Sequence, residues 1–258
     1  MKIHAAVRYC VSFLLLILFM PFSIFAQIQL SDPGIPEKEH LVYRERIGER
    51  IQQLIVETQK VQMDGRIVFE VSGHSPTSDS RMLIDSSSMV CFFSEMRDRY
   101  ADSTIKRITE IRDIKYKPKP DELVIADFNS LYFMLRGFPW TSTKAAKLYF
   151  LGSGGTGSAS GSENTSGSGP AGSGVSAPPG NSAFLFELKV VGKESIIVNG
   201  RSWQCWKVEM GLSGIIGALF KKSNFWYSVD APCIMVKFEG TQGPPGTPLK
   251  TIELISLK

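Results

Sequence analysis

Side chains able to do chemistry are few and scattered along this chain. Beyond an apolar N-terminal segment, the imidazoles are His40 and His74, and the thiols are Cys91, Cys205 and Cys233. A serine triad would have to recruit one of those histidines and a distant serine, and no Gly-x-Ser-x-Gly elbow presents a nucleophile. His74 falls in Ser72-Gly73-His74-Ser75-Pro76, which reads as a turn. Cysteines and histidines show none of the short spacings that hold zinc. The adjacent carboxylates Asp121 and Glu122 would face opposite ways on a strand, so they make no acid/base pair across a glycosidic bond. A phosphate cradle at Gly152-Ser153-Gly154-Gly155-Thr156-Gly157 lacks a following Gly-Lys-Ser/Thr and runs into more Gly and Ser. These features predict a non-enzymatic protein with no metal and no cofactor.

Apolar recognition is the chemistry left. Between Gly211 and Lys222, glycines at three-residue spacing weaken a helix by roughly 1 kcal/mol each relative to Ala. In the same segment Leu212, Ile215, Ile216, Leu219 and Phe220 would be costly to leave in water. The segment either folds back onto the sheet as a long hairpin tip or contacts a lipid, a membrane surface or a partner protein. In the second case Lys221 and Lys222 would orient binding, at about 1 kcal/mol each beside anionic headgroups. Trp206, Trp226 and Tyr227 form a candidate aromatic face that could stack on a ligand, although such residues in strands commonly build core.

The elements that position these residues are mostly strands. Candidates run from Ile51 to Val61, Arg66 to Val71, Arg81 to Asp85, Met89 to Met96, Ser103 to Ile111 and Glu122 to Ala126, with a hairpin turn at Asp64-Gly65. Further on come Phe184 to Val191, Ser195 to Val198, Ser202 to Met210, Asn224 to Val229, Cys233 to Phe238 and Leu249 to Ile255, with a second hairpin turn at Asn199-Gly200. Alternation places Trp206, Val208 and Met210 on one face and Cys205, Lys207 and Glu209 on the other. The same rule sets Ile234, Val236 and Phe238 against Cys233, Met235, Lys237 and Glu239. One helix stands out, capped by Asp127, with Phe128, Leu131, Tyr132 and Leu135 at helical spacing and Gly137 and Pro139 as its stop. Arg136 near its end is placed to interact with the helix dipole.

Lys2 and Arg8 precede an apolar run that closes on Ser23-Ile24-Phe25-Ala26, the pattern of a secretory signal cleaved after Ala26. That run is shorter than the ~20 residues a spanning helix needs. The alternative is an uncleaved anchor. Cleavage predicts residues 1–26 as a signal peptide and 27–258 as one β-rich domain, exported to the periplasm or beyond. The formal charge of the 258-residue chain is +4, and removing Lys2 and Arg8 lowers it to +2, too little to suggest nucleic acid as a partner. From 152 to 182 the text is nearly all Gly, Ser, Thr, Ala and Pro, which predicts a disordered insert that cannot bury enough apolar surface to fold.

Three cysteines remain after cleavage, so at least one lacks an intramolecular partner. If Cys205 and Cys233 lie on strands separated by a third, two inter-strand steps put them about 9.6 Å apart, beyond the roughly 7 Å that a bridge allows. Buried thiols are the expectation, with a bridge between Cys205 and Cys233 as the alternative.

The stretch Asp127-Phe128-Asn129-Ser130-Leu131-Tyr132-Phe133-Met134-Leu135-Arg136, followed by Trp226-Tyr227-Ser228-Val229-Asp230-Ala231-Pro232, Val236-Lys237-Phe238 and Ile252-Glu253-Leu254, resembles the exported bacterial proteins grouped as domain of unknown function 3108. The resemblance implies a twisted antiparallel sheet of the lipoprotein-carrier half-barrel kind and implies no reaction or catalytic residue. The Gly/Ser insert and the apolar character of the segment from Gly211 to Lys222 depart from it.

The reading is therefore mainly β: a curved, half-barrel-like antiparallel sheet packed on one short helix. A lipid or other hydrophobic ligand on the concave face is the first functional expectation. An envelope protein partner docked at a sheet edge is the alternative, with peripheral membrane contact possible in either case. A lipid-sized cavity would mark the first, a filled core with a bare edge strand the second, and a histidine beside Ser or a carboxylate in a cleft would mark a hydrolase.

Overall fold

The structure is a computed structural model that describes residues 27–100, 103–110, 118–150, 185–214, 221–241 and 246–258. It is mainly β. A first meander contains β1 (Lys38–Ile47), β2 (Arg50–Met63), β3 (Arg66–Ser75), β4 (Ser78–Asp85), β5 (Cys91–Tyr100) and β6 (Ser103–Glu110). A crossover follows, made of β7 (Glu122–Ile125), the helix α1 (Phe128–Met134) with a 3-10 turn at Leu135–Gly137, and β8 (Ala145–Phe150). The second meander is β9 (Leu185–Val198), β10 (Arg201–Leu212), β11 (Ser223–Ser228), β12 (Met235–Gly240) and β13 (Lys250–Leu257). All 13 strands join one sheet in the order β6-β5-β4-β3-β2-β1-β13-β12-β11-β10-β9-β8-β7, so the two meanders meet along a seam between β1 and β13. The sheet is not closed among the described residues.

Its curvature follows from what α1 touches. The helix cap Asp127 accepts a hydrogen bond from Ser94 on β5, while Phe128 stacks on Phe150 of β8 with centroids 4.6 Å apart. Those strands are ten places apart in the sheet order. A flat sheet would separate them by about 48 Å at ~4.8 Å per strand, far beyond the reach of a helix about 10–12 Å across. The sheet therefore curls around α1. The helix lies on the concave side and seals much of it with Phe133 against Phe69 and Tyr132 against Phe238.

Local chemistry explains the punctuation. At Asp64-Gly65 and Asn199-Gly200 both turn residues have positive φ (50° and 76°; 49° and 76°), the tight primed turn whose twist matches that of the strands it joins. α1 starts on a reciprocal cap. Asp127 Oδ1 accepts from the Ser130 backbone N–H at 2.7 Å, and Ser130 Oγ accepts from the Asp127 N–H at 3.0 Å.

Several expectations need correction. β1 and β8 were not anticipated, and β9 runs unbroken where two strands were expected, because a bulge opposite Lys207 and Val208 absorbs the extra residue near Gly192. β7 and β8 pair in parallel within an otherwise antiparallel sheet, which the intervening helix makes possible as a crossover. The helix ends earlier than Arg136, its last turn tightening to 3-10 geometry. His74 lies within β3 rather than in a turn, since the chain reverses only after Ser75. On β12 a register shift opposite Trp226 and Tyr227 overturns simple alternation: Met235 and Phe238 enter the main core, whereas Val236 joins Cys205 and Trp226 in a small cluster on the opposite face.

A strap with no regular structure precedes β1. It buries Leu30 and Ile35 in the main core, and its Ser31 N–H donates to the Gly137 carbonyl at 3.1 Å. The signal peptide expected at 1–26 and the insert expected at 152–182 lie outside the described residues.

Candidate functional site, a cleft between sheet and helix

Inward-facing residues of the first meander change character along the strands. On β1 the inner series is Glu39, Leu41, Tyr43 and Glu45, an apolar middle between two buried acids. On β3 it is Phe69, Val71, Gly73 and Ser75. Where these series meet α1, a cleft of about 120 Å³ remains open between helix and sheet. Its floor is apolar, built chiefly from Leu54, Val56, Val71, Met82, Met96 and Ile252 of the sheet, with Phe133 on the helix side. Leu54, Val56 and Met96 are only half-buried. Gly73 helps keep it open: a Cβ there would stand 2.5 Å from Ser80 Oγ and 4.0 Å from a methyl of Leu54.

Two ion pairs bracket the cleft. At the inner end the Arg136 guanidinium grips Glu39 through two hydrogen bonds of 2.7 and 2.9 Å, with both side chains removed from solvent. Its Nε donates to the Pro232 carbonyl at 3.2 Å. Arg136 thus serves β1 and the loop before β12 rather than its own helix, which corrects the dipole expectation. Burial pushes the neighbouring Tyr43 phenol up, against the opposing influence of the Arg136 charge. At the outer end Lys250 Nζ meets Glu45 Oε1 at 2.7 Å, and Gln52 donates to the other oxygen of the same carboxylate. The two bracketing acids on β1, Glu39 and Glu45, lie about 20 Å apart at ~3.3 Å per residue.

None of the described sequence-predicted residues lines this cleft. Leu212 ends β10 and is half-buried, while Ile215, Ile216, Leu219 and Phe220 lie outside the described residues. Lys221 and Lys222 are exposed, and Lys222 Nζ pairs with Glu209 at 3.0 Å. The aromatic set divides. Trp206 and Tyr227 are cross-strand neighbours in the main core, where Tyr227 stacks on Trp140 and its hydroxyl donates to the Tyr132 carbonyl at 3.0 Å. Trp226 points the other way. Its indole N–H donates to Glu194 at 2.5 Å, and Lys207 and Lys237 cover its ring on the outer face. Adjacent positions on a strand face opposite sides, which is the signal that separates Trp226 from Tyr227.

Both histidines pair with a carboxylate directly across a strand, His40 Nδ1 with Glu57 and His74 Nδ1 with Asp79, each at 3.1 Å. These pairs sit on the outer face, outside the cleft. Burial works to raise the Asp79 carboxyl, but hydrogen bonds from His74 and Arg99 outweigh it and hold the group below the usual range. Cys91, Cys205 and Cys233 are all free thiols, the first two buried and the third half-buried. Among the described residues no group of three His, Cys, Asp or Glu could hold a metal ion. No helix among them is long and apolar enough to cross a membrane.

No family model and no curated protein matches the chain. Among solved structures it is similar to a β-barrel-like protein of domain of unknown function 1849 from Brucella abortus, at 10% identity and a TM-score of 0.38 over 86% of this chain and 97% of that one. It is also similar to a protein of the domain of unknown function 1329 family from Desulfovibrio piger, at 8% identity and a TM-score of 0.28 over 88% of this chain and 87% of that one.

Proposed function

We propose that this is an exported, non-enzymatic envelope protein that holds an apolar group of a ligand in the cleft between the concave sheet face and α1. The observation behind this reading is the half-buried apolar floor of that cleft, kept open by Gly73 and bracketed by two ion pairs. An apolar cavity of about 150 Å³ takes up a molecule the size of benzene, so a cleft of about 120 Å³ fits the end of a single chain or one compact apolar group. Each methylene it covers contributes about 0.8 kcal/mol. A whole multi-chain lipid would need α1 to move. Catalysis has little to draw on, since His40 and His74 face outward onto carboxylates.

The test is native mass spectrometry with organic extraction of protein purified from its own envelope, comparing wild type with Leu54→Trp, which fills the cleft from the sheet side. A ligand retained by wild type and lost from a folded Leu54→Trp supports the reading. The same ligand on both proteins, or none on either, overturns it.

Docking of a partner strand is the second reading. β6 stands at one end of the sheet order with β5 as its neighbour, and its Ile108 is exposed. Lys106 on that strand is the kind of charge that discourages edge pairing, which ranks this reading second. Ile108→Lys would abolish capture of a specific envelope partner if the edge is the docking site, and would leave cleft binding intact.

A further inference from the structure

The charges around the cleft are already matched to one another. Arg136 is committed to Glu39 through both terminal nitrogens, and Lys250 to Glu45, whose second oxygen is taken by Gln52. Polar atoms left to face a ligand are neutral. The Ser80 hydroxyl comes from the sheet beside Gly73, and the Asn129 carboxamide comes from α1, its nitrogen making only a 3.6 Å contact to Met96 Sδ. Among the described residues a carboxylate or phosphate entering here would meet no uncommitted cation and would have to pull Lys250 from Glu45, leaving an unpaired acid that is 5% exposed. An uncharged hydroxyl, ester or amide group could instead exchange hydrogen bonds with Ser80 and Asn129 without breaking either ion pair.

Resting on the proposed cleft binding, we infer that the ligand is an uncharged single-chain amphiphile, a monoacylglycerol or amide in chemical class, and that the Glu45–Lys250 pair is the element that rejects acidic headgroups. Glu45 is then a specificity residue: it holds the Lys250 ammonium away from any anion that the apolar floor would otherwise accept.

Isothermal titration of the whole mature protein with monodecanoylglycerol, decanoate and decyl phosphate, all below micelle formation, varies the headgroup on a constant chain. The expected result is binding of the monoglyceride at least about tenfold tighter than either anion at neutral pH. Glu45→Gln should free Lys250 and strengthen decanoate binding by about tenfold while leaving the monoglyceride within about twofold, a gain that misfolding cannot mimic. The double change Ser80→Ala, Asn129→Ala should weaken the monoglyceride alone. Decanoate binding wild type as tightly as the monoglyceride, or no change in decanoate affinity in Glu45→Gln, overturns this inference and leaves the cleft as an apolar site. Absence of binding by all three overturns the cleft reading with it.

Discussion

Arg136 and Glu39, 97 positions apart in the chain, meet in a two-pronged ion pair from which solvent is excluded. The pair ties the end of the helix segment to the first strand, and the Pro232 carbonyl adds the second meander to the same guanidinium. Removing one partner leaves a buried charge alone. Arg136→Met should therefore destabilise the fold by about 3–5 kcal/mol, whereas the double change Glu39→Leu, Arg136→Met should recover most of that loss. Urea unfolding of the three proteins measures both, and additive losses in the double variant would contradict the pair's role.

Gly137 is sterically pinned. A Cβ at this position would lie 2.4 Å from the Ser31 carbonyl oxygen and 2.7 Å from Met89 Cγ, and the first obstacle is backbone that cannot rotate away. Gly137→Ala should lift the strap off the core and cost about 1–3 kcal/mol. Gly73→Ala meets only the Ser80 hydroxyl at close range, so its loss should be smaller. Protease cutting within the strap should rise in Gly137→Ala and stay at the wild-type rate in Gly73→Ala.

Burial pushes the Cys205 thiol up to about 12, with Glu194 adding to the effect. An unfolded thiol titrates near about 8.5, so above that value the unfolded chain releases a proton that the native state keeps. The resulting stability is whole below about 8.5 and is lost as pH rises from there toward the folded value. Stability of wild type should fall more steeply than that of Cys205→Ala across this alkaline window, and equal slopes would refute the assignment. Iodoacetamide should reach half-buried Cys233 first, and Cys91 and Cys205 only on unfolding.

The connection 151–184 joins neighbouring antiparallel strands, with Tyr149 paired opposite Leu185. Chain entropy makes each doubling of a connection's length cost about 0.6 kcal/mol more. Replacing this stretch by a four-residue turn, three halvings, should raise stability by about 2 kcal/mol. Thermal unfolding of the shortened protein checks this, and a large loss would mean that the connection contributes contacts of its own.

Much of the architecture was legible because its causes are local. Asp64-Gly65 and Asn199-Gly200 declare their turns, Asp127 and Ser130 declare a helix start, and strand alternation places Trp206, Val208 and Met210 together in the core. What escaped depends on distant partners. Val236 reads as part of the main core until its neighbour strand imposes a bulge, and Leu30 and Ile35 are lone apolar residues with no period to announce them. The cleft was hidden for a related reason. It takes every second residue from strands far apart in the chain, such as Leu54, Met82 and Ile252, so no single segment stands out. The apolar stretch from Gly211 to Lys222 is legible because its residues are contiguous, and Ile215, Ile216, Leu219 and Phe220 within it lie outside the described residues.

The seam between β1 and β13 has a consequence for quality control. The first and last strands in chain order close the middle of the sheet, where His40 and Lys258 exchange backbone hydrogen bonds. Synthesis that stops before β13 would leave β1 and β12 as two bare borders in the centre of the molecule, not one frayed end. Such a truncated chain would be sticky and easily degraded, because the strand order places the pairing of β13 at the centre of the sheet rather than at its rim.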